Sequence, residues 1–374
     1  MARFQWHGPG GTAPVAGSWG PKHGQPPPSL HPGLDTQPLA LGRGNALPCL
    51  SLWHSTGHAG DMTTHRIIID TDPGVDDALA IMLALASEKI EVQALVSVAG
   101  NVTVEQTAQN ACRILELAGR TDIPVYAGCA RPMGHTGVNA RHIHGVTGMD
   151  GPDLPPPTMP VQTQHGVDYL IDAIRTAPPD SLSLVMLGPM TNLAVALLKA
   201  PDIAQRLHRV IAMGGAWSEG GNITPTAEFN FYADPEAADI VLRAGTALTL
   251  LPLDVTHQCL STPERLARLR ALPGRCAAAA VAMLDRAGQF DIAKYGWAGA
   301  PLHDPCTLAC LIAPDLFAGR KVNVTIALHD VLTRGMSVVD WWGTTKRPVN
   351  AMFMRQVDAD GFYDLLARHL GRLP

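Results

Sequence analysis

The sequence predicts an α/β protein: an open, doubly wound, mostly parallel sheet with an additional helical segment, in a single domain. Three observations predict it. Of 374 residues, 46% are hydrophobic and only 16% charged, the balance of a filled globular core. From Arg66 onward, short β-branched runs alternate with stretches of helical periodicity, the signature of parallel βαβ units. Residues 1–61 have neither property, so the folded part is expected to be 62–374.

The elements follow in order. RIIID (66–70) is a short apolar run ending in polar residues, a buried strand. DDALAIMLALAS reads as a helix with acids at its start, where they suit the dipole. EVQALVSVAGN repeats strand and loop, TVEQTAQNACRILELAG is helical, and IPVYAG is a strand. SLSLVMLGP, HRVIAMGGA and LTLLPLD are further strands, separated by the helical patterns TNLAVALLKA and PEAADIVLRAG. Residues 262–318 look mainly helical. KVNVTIALHD, RGMSVVDWW and PVNAMFMRQV add late strands, and DADGFYDLLARHL closes the chain as a helix. The outline is Rossmann-like.

Residues 1–61 are dense in Gly, Pro and His and carry no hydrophobic period, so a disordered extension is expected. They lack the charged start and apolar run of a secretory signal. Met62 stands just before the first strand and is a candidate initiator, with the upstream residues a leader; intact mass of the native protein tests this.

Composition excludes several classes. The net charge is −5 with no basic run, so neither nucleic acid nor an anionic membrane is an expected partner. No apolar segment reaches the roughly 20 residues of a membrane span. The seven cysteines are scattered without C-x-x-C spacing, which fits reduced thiols in a cytoplasmic protein.

In such a sheet ligands bind beyond the carboxyl ends of the strands. Asp70, Asp72, Asp76 and Asp77 follow the first strand within eight positions, in DTDPGVDD. A turn and a helix cap use one acid each. Four acids beside buried segments repel one another unless some are protonated or a cation sits among them. No His or Cys is interleaved, which favours a hard, oxygen-loving ion such as Ca²⁺ over zinc.

Asn101 follows the second strand, Leu187-Gly188-Pro189 a third, Met213-Gly214-Gly215 a fourth, and Asp254 and His257 another. Asp304, before Pro305, reads equally as a helix cap; with His303 beside it, it also reads as a ligand next to a proton donor. Asn222, Glu228 and Asn230 lie in GGNITPTAEFNFYADPEAA, a polar loop or a set of hydrogen-bonding groups. HIHGVTGMDG (142–151) suits a loop that covers a site or a plain flexible one.

These motifs, DTDPGVDDALA, AGNVT, HGVTGMDG, MLGPMTNLA, AMGGA, AEFNFYADPEAA and LHDPCTLA in that order, resemble the inosine–uridine-preferring nucleoside hydrolase family from about Arg66 to the C-terminus. The resemblance implies one tightly bound Ca²⁺ and hydrolysis of ribonucleosides to ribose and free base, in nucleoside salvage or catabolism. It implies that Asp72, Asp77 and Asp304 hold the ion with side chains and Leu187 with its carbonyl. Asp76, Asn101 and Asn230 would hold the ribose 2′- and 3′-hydroxyls, Asn222 and Glu228 the 5′-hydroxyl, and Met213 would line the sugar pocket. Asp72 would be the general base and His303 the general acid. The family suggests a homodimer or homotetramer. Purine or pyrimidine preference is not legible; His144, Phe290, Tyr295 and Trp297 are the candidates near the base. Two alternatives are a nucleoside-binding protein without turnover and a haloacid-dehalogenase-type phosphatase, which also places Asp-x-Asp after its first strand.

Overall fold

β1 (His65–Thr71) lies at the centre of the architecture. Ile67 and Ile69 enter one apolar layer and Ile68 the other, so the strand is buried on both faces, as parallel sheets require. In the computed structural model the described residues are 64–374, apart from 136, 138, 139, 141–144 and 146 and the side chains of 290 and 291. The extension expected over 1–61 lies outside them.

The other strands are β2 (Ile90–Ser97), β3 (Val125–Ala127), β4 (Leu182–Met186), β5 (Arg209–Met213), β6 (Leu248–Leu251), β7 (Leu260–Ser261), β8 (Ala300–Pro301), β9 (Phe317–Ile326), β10 (Ser337–Asp340) and β11 (Ala351–Val357). Nine form one sheet in the order β10-β9-β11-β6-β5-β4-β1-β2-β3. From β11 to β3 every neighbouring pair is parallel; β9 runs antiparallel to β11, and β10 to β9. β7 and β8 form a separate antiparallel pair.

The helices are α1 (Val75–Leu85), α2 (Val104–Ala118), α3 (Gly166–Thr176), α4 (Thr191–Lys199), α5 (Phe229–Ala233), α6 (Pro235–Arg243), α7 (Leu253–Thr256), α8 (Pro263–Arg270), α9 (Arg275–Tyr295), α10 (Pro305–Ile312) and α11 (Ala359–Leu370). One face of the sheet is covered by α1, α2, α9, α10 and α11, the other by α3, α4 and α6. α1 is apolar almost all round because it is wedged between the sheet and α10. Its Leu79, Ile81, Met82 and Leu83 are fully buried, each worth about 1.5–3 kcal/mol relative to exposure.

The helical reading of 262–318 holds for α8, α9 and α10, but β8 interrupts it and β9 already begins at Phe317. α3 is an amphipathic helix that the sequence reading passed over. Val167, Leu170, Ile171 and Ile174 make its buried stripe, but it follows a long polar, Pro-rich run that hides its start. α5 forms where a polar loop was one of the two readings; Glu228 caps it through the amides of Asn230 and Phe231.

Candidate active site

The strand order 3-2-1-4-5-6 reverses direction between β1 and β4, which opens a crevice at their carboxyl ends. Asp72 follows β1, Asn101 follows β2, Leu187 follows β4 and Met213 ends β5, so the crevice gathers residues from four strands. Asp72, Asp76, Asn101, Leu187, Met213, Asn222, Glu228, Asn230, His303 and Asp304 line one cavity there. Asp77 is completely buried beneath it.

The acids are placed by close packing and by donors. Asp77 accepts from the Thr71 hydroxyl (2.5 Å), the Gly74 amide (2.9 Å) and Asn101 Nδ2 (3.3 Å). Asn101 also donates its amide to Asp72 Oδ2 (2.7 Å) and Nδ2 to the Asp72 carbonyl (3.1 Å), so one side chain ties both acids together. Gly100 and Gly188 flank Asp72: a Cβ on either would stand 2.1 Å from Oδ2 or 2.4 Å from Oδ1. Asn110 donates to the Pro73 carbonyl (3.0 Å) and the Thr147 carbonyl (2.8 Å), anchoring the acid-bearing turn to the 147–150 loop.

Asp304 stands at the start of α10 in helical geometry, and its side chain makes no capping bond. Because α1 and α10 pack side by side, their N-termini meet, and carboxylate oxygens of Asp76, Asp77 and Asp304 lie within 4.8 Å of one another. Burial first, and then the neighbouring acids, push the carboxyls of Asp72 and Asp304 well above the ordinary carboxylate range. Crowded, buried, all-oxygen donors at two helix N-termini fit a hard divalent cation, whose charge would offset that repulsion.

Asp70 is different. It is fully buried away from the cavity, accepts from Asn192 Nδ2 (3.0 Å), and its Oδ1 has no hydrogen-bond partner among the described residues. Burial pushes its pKa to about 8, against the opposing Asn192 bond, which favours the protonated form. The four acids of the opening motif thus divide: one lies apart, bonded to Asn192, and three stand at or beneath the cavity.

Glu228 and Asn230 hold one side of the cavity. The Glu228 carboxyl accepts from the amides of Gly215 (2.9 Å), Asn230 (2.8 Å) and Phe231 (3.1 Å). Burial outweighs those bonds and pushes its pKa to about 7. Asn230 Nδ2 donates to the Leu187 carbonyl (2.7 Å) and to the Met213 carbonyl (3.2 Å). Asn222 accepts from the Phe229 amide (2.9 Å), while its carbonyl accepts from Lys294 Nζ (2.7 Å).

The opposite wall is His303, His257 and Tyr295, with Leu284, Ala287 and Gly288 of α9. His303 Nδ1 is 2.8 Å from Thr256 Oγ1. Tyr295 stacks on Trp297 (4.4 Å between centroids, 14° between planes). Among the aromatic candidates Tyr295 lines the cavity and Trp297 backs it; His144 and the Phe290 side chain lie outside the described residues. Thr256, Lys294 and Gly100 were not singled out from sequence, and Gly188 was named only as part of the turn after a strand. Gly100 and Gly188, each just past a strand's end, carried the only local signal.

The arrangement can hold a cation and a polyhydroxylated ligand at its floor, with an imidazole facing them. Comparisons agree. The family model described as inosine-uridine preferring nucleoside hydrolase matches residues 67–364. An uncharacterised protein of Schizosaccharomyces pombe is 48% identical over 309 residues, 83% of this chain and 100% of that protein. The pyrimidine-specific ribonucleoside hydrolase RihA of Shewanella woodyi is 43% identical, covering 82% of this chain and 98% of its own. Among solved structures, a purine-preferring ribonucleoside hydrolase from Gardnerella vaginalis superposes with a TM-score of 0.77 at 30% identity, covering 82% of this chain and 98% of that one.

Proposed function

The chain belongs to the inosine-uridine preferring nucleoside hydrolase family and is a ribonucleoside hydrolase; on that premise we propose that it depends on Ca²⁺ and prefers pyrimidine ribonucleosides. The observation that carries the metal reading is the meeting of Asp76, Asp77 and Asp304 beside Asp72. The pyrimidine reading is supported by the RihA relatives at 41–43% identity, higher than the 30% shared with the purine-preferring structure.

In this reading Asp72, Asp77, Asp304 and the Leu187 carbonyl would hold the ion. Bound there, a divalent cation supplies Lewis acidity and a positive charge beside the reacting oxygen atoms. Asp76 is the least buried of the three grouped acids, which suits it, with Asn101 and Asn230, to a ribose diol. Asn222 and Glu228 would take the 5′-hydroxyl, and Met213 would pack on the sugar. Fixing the sugar this firmly aligns attack on C1′, a term that can reach several kcal/mol. Asp72 accepts the proton of the attacking water, a role typically worth 10²–10⁴-fold. His303 donates a proton to the base as it leaves.

The phosphatase alternative gives way to the family assignment. Asp70, the acid such an enzyme would use as nucleophile, is absent from the cavity lining and bonded to Asn192. Among the described residues no helix is long and apolar enough to cross a membrane. Cytoplasmic residence and a homodimeric or homotetrameric state complete the proposal; light scattering on the eluted protein tests the latter.

The decisive experiment measures kcat/KM for uridine, cytidine, inosine and 2′-deoxyuridine by reducing-sugar release, with and without a chelator. Uridine and cytidine should exceed inosine by about 10-fold or more, the range one pocket contact can supply. The deoxynucleoside should be poor. Preference for inosine would sink the pyrimidine reading, and activity indifferent to chelation would sink the metal reading.

A further inference from the structure

The turn α7 and the residue after it project three side chains around the cavity wall. Asp254 accepts from the amides of Trp217 (2.7 Å) and Ser218 (2.8 Å) and from the Ser218 hydroxyl (2.6 Å), pinning the loop that leads to Asn222. His257 Nδ1 is 3.2 Å from Glu219 Oε2 of the same loop, and its ring meets Trp297 edge-on at 4.9 Å. Thr256, fully buried, places Oγ1 2.8 Å from His303 Nδ1. The segment carrying His303 is tied to the same turn, because the Leu302 amide donates to the Cys259 carbonyl (3.0 Å) and β7 pairs with β8.

We propose that Thr256 is a positioning residue that aims the His303 imidazole at the departing base, an inference that rests on His303 being the proton donor. An imidazole offers two nitrogens, and rotation about its side-chain torsion can present either. With Nδ1 engaged by Thr256, Nε2 is the nitrogen that serves the base. As the C1′–N bond breaks, its electron pair stays on the base and the proton on Nε2 passes to that base. The ring is left neutral and keeps its Nδ1–H on Thr256 Oγ1, so the same contact serves before and after transfer. The β-branch of threonine restricts its χ1 and so fixes the acceptor. Holding a group in the attacking geometry is worth most when the acid does the most work.

That last point supplies the test. A nucleoside has a poor leaving group and needs the acid; an activated aryl riboside does not. Steady-state kinetics of the full chain would compare wild type, Thr256→Val, Thr256→Ser and His303→Ala. The substrates are p-nitrophenyl β-D-ribofuranoside and whichever of uridine and inosine the wild type turns over faster. Thr256→Val should lower kcat for the nucleoside about 10-fold, the scale of one lost hydrogen bond. KM for the nucleoside and kcat for the aryl riboside should stay within about twofold, and Thr256→Ser should recover most of the loss. Should Thr256→Val fail to fold by thermal melting, Thr256→Ala carries the same expectations. Unchanged nucleoside turnover in the Thr256 variants overturns the inference, while a selective loss in His303→Ala would leave the donor reading standing. Equal losses on both substrates in the Thr256 variants would make Thr256 merely structural and also overturn it. Equal losses in His303→Ala would sink the donor reading and the role of Thr256 with it.

Discussion

Asp72 sits where only glycine neighbours leave room. Gly100→Ala would drive a Cβ to 2.1 Å from its Oδ2, and the loop after β2 is held there by the Ala99 amide on the Cys129 carbonyl (3.0 Å) and the Gly100 amide on the Val102 carbonyl (3.2 Å). The carboxyl must move instead. A displacement of about 1 Å at a reacting group costs on the order of 100-fold, so activity should fall that far while the circular dichroism spectrum is kept. Asp70 gives the opposite expectation. Its raised pKa of about 8 favours the protonated form, which Asp70→Asn matches in shape and charge, so the variant should shift Tm by only a few degrees. A collapse of the fold would contradict that. Glu228 carries a pH dependence of definite sign. Its folded pKa of about 7 exceeds the ordinary 4.5, so the folded state binds its proton more tightly. The stability this group contributes is full below 4.5 and is lost as pH rises through about 7. Relative to Glu228→Gln, wild-type stability measured by urea unfolding without added metal should decline between about pH 5 and pH 8, by on the order of a few kcal/mol.

At the scale of elements, two helix starts and one turn make the site. Asp77 works twice, as an acid in the grouped trio and as an acceptor for the Gly74 amide at the head of α1. Asp77→Ala should therefore lose bound metal and activity together, and also about 0.5–2 kcal/mol of stability in metal-free protein. Metal analysis and chemical denaturation check both; full metal stoichiometry in the variant would contradict its role. The turn α7 predicts a different pattern. Asp254→Asn weakens the charge-assisted bonds to Trp217 and Ser218, each worth roughly 1.5–3 kcal/mol, and loosens the loop before Asn222. KM should rise about 10-fold, more than kcat falls, and amide exchange at residues 217 and 218 should quicken.

For the molecule as a whole, the ion is expected to act as a clasp between chain segments far apart in sequence. Anything that binds only the folded state stabilises it by mass action, about 2.7 kcal/mol at 100 times Kd. For a folded region of this size, at about 2 cal/mol/K of unfolding entropy per residue, that corresponds to a Tm change of about 4 °C. Removing metal with a chelator should lower Tm by that amount, and restoring Ca²⁺ should return it. A Tm unmoved by chelation would mean that the acids are held together by packing and protons alone.

The central strands and helices were legible because their signals are local. Side chains alternate on a strand with period two, helices repeat every 3.6 residues, and Asp or Gly marks the ends. The family motifs likewise stand in short contiguous stretches, so DTDPGVDD and HDP pointed to residues that line or underlie the candidate cavity, Asp70 apart. The strand order, and with it the crevice between β1 and β4, belonged to the tertiary structure. So did the packing of α1 against α10 that brings Asp304 to Asp76 and Asp77, the separation of Asp70 from the other acids, and the contact of Thr256 with His303. The reason is physical. A residue's type and spacing determine the element it forms and the face it occupies, whereas its charge state and its partners depend on what the fold packs beside it, and that neighbour is usually remote in the chain.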